Sequence, residues 1–98
     1  MTTTALRPIN VEFALRLVCG IDTAQLRKNN RKDATTVRQR IIAVHCLTAT
    51  GMKGVDIMER VGVSQRTVWN IINNHHDHAR TITAVLRAAE QHAERHTP

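Results

Sequence analysis

The chain should fold as an all-α protein, a multi-helix orthogonal bundle of about six helices. Three observations predict it. Apolar residues recur at three- and four-residue spacing in one stretch after another, and no segment sustains the period-two alternation of a half-buried strand. Aromatic residues, which sheets favour, are almost missing: one Phe, one Trp and no Tyr. Asp, Asn, Ser and Gly stand where helices should start and stop. Ninety-eight residues make a single domain with a modest core and little room for a deep catalytic cleft.

The elements follow in order. Residues 1–8 are Thr-rich, end in Pro8 and read as a flexible tail. Asn10 can cap a first helix, Val11–Cys19, with Phe13, Ala14, Leu17 and Val18 on its apolar face and Gly20 as its stop. Asp22 and Gln25 have capping-box spacing and open a short helix near Thr23–Lys28. After a polar loop, Asp33 caps a longer helix to about Thr48, with Val37, Ile41, Val44 and Leu47 at helical intervals; Gly51 and Gly54 end that run. A short helix, Val55–Val61, turns Ile57, Met58 and Val61 inward. Another runs from Gln65 to about His75. The last, Ala79–Arg95, aligns Ile82, Val85, Leu86, Ala89 and Ala93 and can pack on its own domain or on a second chain. The organisation is a tail over 1–8, a main domain over 9–78 and a C-terminal amphipathic helix over 79–98 that could serve dimerisation.

The stretch Gly62-Val63-Ser64-Gln65-Arg66-Thr67-Val68-Trp69-Asn70-Ile71-Ile72 carries the functional signal. Gly62 suits a turn position with φ > 0, Val63 plugs two crossing helices, and Ser64 is a good N-cap. Val68, Ile71 and Ile72 recur at helical spacing and face inward. This is the pattern of the turn and second helix of a helix-turn-helix, the element that lies in the DNA major groove. Gln65, Arg66, Asn70 and Asn73 are left outward as candidate base readers, because Arg pairs bidentately with guanine and Gln or Asn with adenine. Ser64 and Thr67, short hydroxyls near a helix N-terminus, are candidates for phosphates. Trp69 fits either a DNA-backbone contact or, as the preferred reading, a cover over the hairpin core.

Charge agrees with a polyanionic partner. Lys and Arg outnumber Asp and Glu by 14 to 8, a net charge of +6, and the sequence pI is about 10.7. Arg27, Lys28, Arg31, Lys32, Arg38 and Arg40 face one acid, Asp33, so this stretch is a candidate for the DNA backbone or minor groove, together with Lys53. The remaining features exclude other classes. Cys19 and Cys46 follow no C-x-x-C pattern and read as small buried hydrophobes of a reduced protein. There is no signal-peptide pattern, and no apolar run approaches the about 20 residues of a membrane span, so a soluble, cytoplasmic protein is expected, bacterial or phage-encoded and nucleoid-associated. His75, His76, His78, His92 and His96 invite a metal reading, but no thiolate lies near them; a polar helix terminus is the simpler account. No triad or paired-carboxylate signature stands out, so neither enzyme activity nor a cofactor, metal or small-molecule effector is expected.

Two resemblances rest on these residues. Gly62-Val63-Ser64-x-x-Thr67-Val68-x-x-Ile71 resembles the helix-turn-helix of lactose-repressor-type regulators, with Met58 where that class usually has a small residue. Over Val18 to about Asn74 the chain is similar to the C-terminal DNA-binding domain of the replication initiator DnaA, related to the tryptophan-repressor group. That likeness rests on Gly20-Ile21-Asp22-x-x-Gln25-Leu26, Arg31-Lys32, Arg38-Gln39-Arg40-Ile41-Ile42-Ala43, Thr50-Gly51-Met52, Asp56-Ile57 and Thr67-Val68. It implies that Arg38 or Arg31 enters the minor groove while Gln65, Arg66 and Thr67 read the major groove. The chain lacks that family's Gly-Gly-Arg-Asp-His-Thr-Thr signature and any G-x-x-x-x-G-K-[ST] loop, so origin-box specificity and ATP-driven opening are not implied. The expectation is a sequence-specific double-stranded-DNA-binding protein, a small transcriptional repressor or autorepressor acting as a homodimer. The alternatives are a replication accessory factor at origin-like sites and, from another class, a helical protein-protein adaptor.

Overall fold

The structure, a computed structural model, describes residues 7–29 and 32–95. These form six helices and no strand: α1 (Pro8–Cys19), α2 (Thr23–Lys28), α3 (Ala34–Thr48), α4 (Gly54–Val61), α5 (Gln65–Asn74) and α6 (Ala79–Arg95). The all-α bundle expected from periodicity is what forms.

Local caps set most of the boundaries. The Asp22 carboxylate accepts the Ala24 N–H at 2.9 Å and starts α2. Asp33 accepts both the N–H of Thr36 (3.2 Å) and its hydroxyl (2.8 Å), starting α3. Gly20, at φ 66°, ends α1, and the next residue, Ile21, sends its N–H back to the Leu15 carbonyl at 3.1 Å.

The first helix departs from expectation at its start and in its face. It begins at Pro8 behind Arg7, so Asn10 lies inside the helix rather than at its cap. Proline at the first helical position has φ already suited to the helix and lacks only an N–H that would have no intrahelical partner. Residues 1–6 of the expected tail lie outside the described residues. The buried stripe is Val11, Ala14 and Leu15, while Leu17 is 67 % exposed and Val18 42 %. The reason is tertiary: α1 lies between α3 and α6, and those two neighbours select the i, i+3, i+4 set beginning at Val11. Phe13 is half-buried and stacks on the His92 ring of α6, with centroids 4.0 Å apart.

The hub is α3, which touches all five other helices. Ile41, Ile42, Ala43 and Val44 are consecutive and all buried, so this helix is enclosed on more than one face. Val37, expected inward, is instead 40 % exposed at the helix's first turns. The last helix packs on its own chain: Val85 and Ala89 are fully buried, and Ile82 and Leu86 pack half-buried against the same core, which α6 shares with α1 and α3. A three-way polar clasp joins α1, α2 and α4. Glu12 of α1 accepts the Thr23 hydroxyl of α2 at 2.8 Å and pairs with Arg60 of α4 at 2.6 Å.

Both cysteines are free thiols. Burial pushes the Cys46 thiol up from 9.0 to about 12, with Cys19 adding to the shift. Burial also raises Cys19, partly opposed by Arg38. Two expectations follow from the packing. Truncating Val85 to Ala removes buried methyl surface and should cost about 2 kcal/mol in denaturant unfolding. Because the folded protein holds Cys46 protonated, that contribution is complete below pH 9.0 and is lost as pH rises towards about 12. The midpoint of thermal unfolding should therefore fall more steeply across that interval in wild type than in Cys46→Ala.

Candidate nucleic-acid interface

Helices α4 and α5 are joined by Gly62, Val63 and Ser64. Gly62 has φ 78°, and its N–H and that of Val63 both donate to the Met58 carbonyl, at 2.9 and 3.3 Å. Its second constraint is invisible in the motif. A Cβ on Gly62 would sit 2.7 Å from the Cα of Arg27 and 2.9 Å from its carbonyl oxygen. The turn is therefore pressed backbone-to-backbone on the end of α2. Val63 is half-buried against the core. Ser64 caps α5, its Oγ accepting the Thr67 N–H at 3.1 Å and lying 2.8 Å from the Thr67 hydroxyl.

Val68 and Ile71 are buried and Ile72 half-buried, as their spacing predicts. That seats α5 with Gln65, Arg66, Asn70 and Asn73 exposed. These four differ in readiness. Asn73 donates its amide to the Trp69 carbonyl at 2.8 Å, and the Asn70 side-chain oxygen accepts from Asn74 at 2.6 Å. Among the described residues no side-chain hydrogen bond engages Gln65 or Arg66, so these two side chains meet a ligand without first breaking a contact. Trp69 is 69 % exposed and covers nothing of the hairpin core, contrary to the expectation. Val68, Ile71 and Ile72 already fill the inward arc, and Trp69 falls about 100° from Val68, one residue's rotation, on the outward side.

Beside α5 runs a groove of about 530 Å³. One wall is Val63, Thr67, Asn70 and Ile71; the other is Val37, Arg40 and Ile41 of α3, with Asn29 and Lys32 of the α2–α3 connection. The partial exposure of Val37 is explained by this groove. The basic stretch, however, does not gather here as one patch. Lys32 lines the groove, and Arg40 also does so while half-buried, donating to the Asn29 carbonyl at 2.5 Å. Arg40 thus fastens the α2–α3 connection rather than standing open as its charge alone suggests. Arg38 projects from another side of α3, sharing a smaller cavity with Cys19 and His78. Arg27 is exposed beside Glu12 and Glu59. Lys28 is exposed at the end of α2 and Lys53 at the N-cap of α4. Arg31 lies outside the described residues.

One positioning contact escaped the sequence reading. His45 of α3 places Nε2 2.5 Å from the carbonyl oxygen of His75, the C-cap of α5. A carbonyl only accepts, so Nε2 carries the proton and donates. The contact spans thirty positions in sequence, and no local pattern marks it. His76 brings its ring to 5.7 Å from His45, and His92 is spent on Phe13. Among the described residues no three His, Cys, Asp or Glu side chains gather as a metal site; His96 lies outside them.

Residues 34–79, which comprise α3, α4, α5 and the segment after α5, match the family model of a homeodomain-like domain. In that arrangement three helices form the unit and the third is the recognition helix; α5 occupies that position. No curated protein and no solved structure matches the chain. The helix-turn-helix read from the motif is thus present, with α3 as the supporting helix.

The turn yields a comparison between two left-handed glycines. Gly20→Ala meets open space and should cost only the strain of φ > 0, about 1–2 kcal/mol. Gly62→Ala adds a backbone collision and should cost at least about 1 kcal/mol more, measured by urea unfolding of both variants. Replacing His45 by Leu leaves the His75 carbonyl without its donor and should cost about 1–3 kcal/mol. Amide exchange should then accelerate most at the C-terminal end of α5.

Proposed function

We propose that the protein is a sequence-specific double-stranded-DNA-binding regulator that acts by occupying its site. The observation that carries this is the pair of side chains Gln65 and Arg66, exposed and without an internal hydrogen bond at the start of a capped helix in the recognition-helix position. A ten-residue helix is about 15 Å long and fits a major groove about 12 Å wide. In this reading Arg66 pairs with guanine and Gln65 with adenine, and Asn70 and Asn73 join after exchanging their intrahelical bonds for base edges. Lys32 lies across the groove from α5 and takes phosphate, with Lys28, Ser64 and Thr67 as further backbone contacts.

The DnaA-like assignment of a minor-groove arginine is compatible with Arg38, which is exposed on α3 away from the α5 groove. Repression of a nearby promoter is the simplest consequence of occupancy, and two copies on a palindrome would double the site. Such a dimer has to use a surface other than the buried stripe of α6, because Val85 and Ala89 are already in the core.

Selection from random duplexes, with wild type and three variants, tests the proposal. Wild type should enrich one motif. Arg66→Ala and Gln65→Ala should each lose about 1–3 kcal/mol of discrimination at one base position. Lys32→Ala should instead weaken all sequences equally and lower the slope of log K against log salt by about 0.9. No enriched motif and a flat salt dependence would sink the reading in favour of a helical protein-protein adaptor.

A further inference from the structure

Trp69 is the one tryptophan in the sequence, and it stands open to solvent in the middle of α5. A side chain with that much apolar surface ordinarily goes to a core or an interface. Here its helical neighbours at i−4, i−3 and i+4 are Gln65, Arg66 and Asn73, the polar face proposed to read bases. Its carbonyl accepts the Asn73 amide at 2.8 Å, tying the two positions together. Residues along a helix are spaced about 100° apart. Thr67 and Asn70 border the groove against α3, so Trp69 occupies the opposite flank of the outward face.

The surroundings select the kind of surface that fits it. The other exposed large apolar side chains among the described residues are on α1, α3 and α4, so the apolar patch on α5 is one residue wide. A protein interface has a broad apolar centre with a polar rim. In a major groove the apolar feature is a single small group, the C5-methyl of thymine, set among hydrogen-bonding base edges. One indole among Gln65, Arg66 and Asn73 matches that pattern.

We propose that Trp69 is a specificity-determining residue whose indole packs on a thymine methyl, on the side of the major groove away from Lys32 and the α3 groove. It rests on the DNA-binding reading above and adds to it a thymine preference that the polar residues of α5 do not supply. Being exposed, Trp69 can be replaced with little effect on the fold.

Because the sequence holds a single tryptophan, intrinsic fluorescence reports this side chain alone. The full chain is titrated with the duplex enriched by selection, and the emission should shift to the blue and change in intensity as the complex forms. Selection with Trp69→Ala should lose the preference for thymine at one position while keeping the rest of the motif. Replacing that thymine by uracil, which removes only the methyl, should weaken wild type by several-fold and leave Trp69→Ala unchanged. The salt slope should be the same for both proteins, since an indole displaces no counterion. A tight complex with unaltered emission, or equal losses on uracil substitution in both proteins, overturns the assignment and leaves the DNA-binding reading standing. A blue shift that follows protein concentration without DNA overturns it in favour of a contact between copies of the chain. Failure of wild type to bind any duplex overturns the DNA-binding reading itself.

Discussion

The close approach of Gly62 to the backbone of Arg27 is the constraint on which the candidate site depends. With a hydrogen in place of a side chain, the turn between α4 and α5 settles directly on the end of α2. Two consequences follow from one missing Cβ. The left-handed turn directs α5 away from α4 with its polar arc outward, and the same contact holds the start of the basic segment beside the turn. Ser64 then completes the job locally by capping α5 through Thr67.

Around that contact, α3 acts as the fixed member against which the site is held. Its middle is enclosed by apolar neighbours, so its position has little freedom. Two polar side chains of α3 reach the parts that need placing. Arg40 fastens the α2–α3 connection at Asn29, and His45 holds the end of α5 at His75. Both bonds terminate on backbone carbonyls, which makes them positional devices. Helix α5 is thereby held at its beginning by the turn and at its end by α3.

Charge and shape divide the outward surface in a way that composition alone does not convey. The stretch from Arg27 to Arg40 looks like one basic block, but a helix turns its residues to different sides. Lys32 and Arg40 face α5, Arg38 shares a cavity with Cys19 and His78, and Arg27 stands beside Glu12 and Glu59. The electrostatic attraction for a polyanion is then spread around the N-terminal end of α3, while directional hydrogen bonding is concentrated on α5. Arg40 belongs to the scaffold as much as to the surface.

The helices, most of their ends and the outward set on α5 are written in local sequence. Asp22, Asp33, Gly20, Gly62 and Ser64 act within a few residues of themselves, and Val68 and Ile71 follow helical spacing, so a local reading suffices. What depends on neighbours distant in sequence was decided only by tertiary structure. The buried face of α1 differs from the one its spacing suggests, because α3 and α6 choose between two stripes that the spacing alone leaves open. Val37 lines a groove whose other wall is about thirty residues away along the chain. His45 finds its acceptor at His75, and Arg40 finds one on the preceding loop. Trp69 reads by its size first as a cover over the hairpin core, yet it stands exposed, because the inward arc of α5 is filled by Val68, Ile71 and Ile72. Hydrophobicity says that such a side chain prefers burial; only packing says which side chains get it.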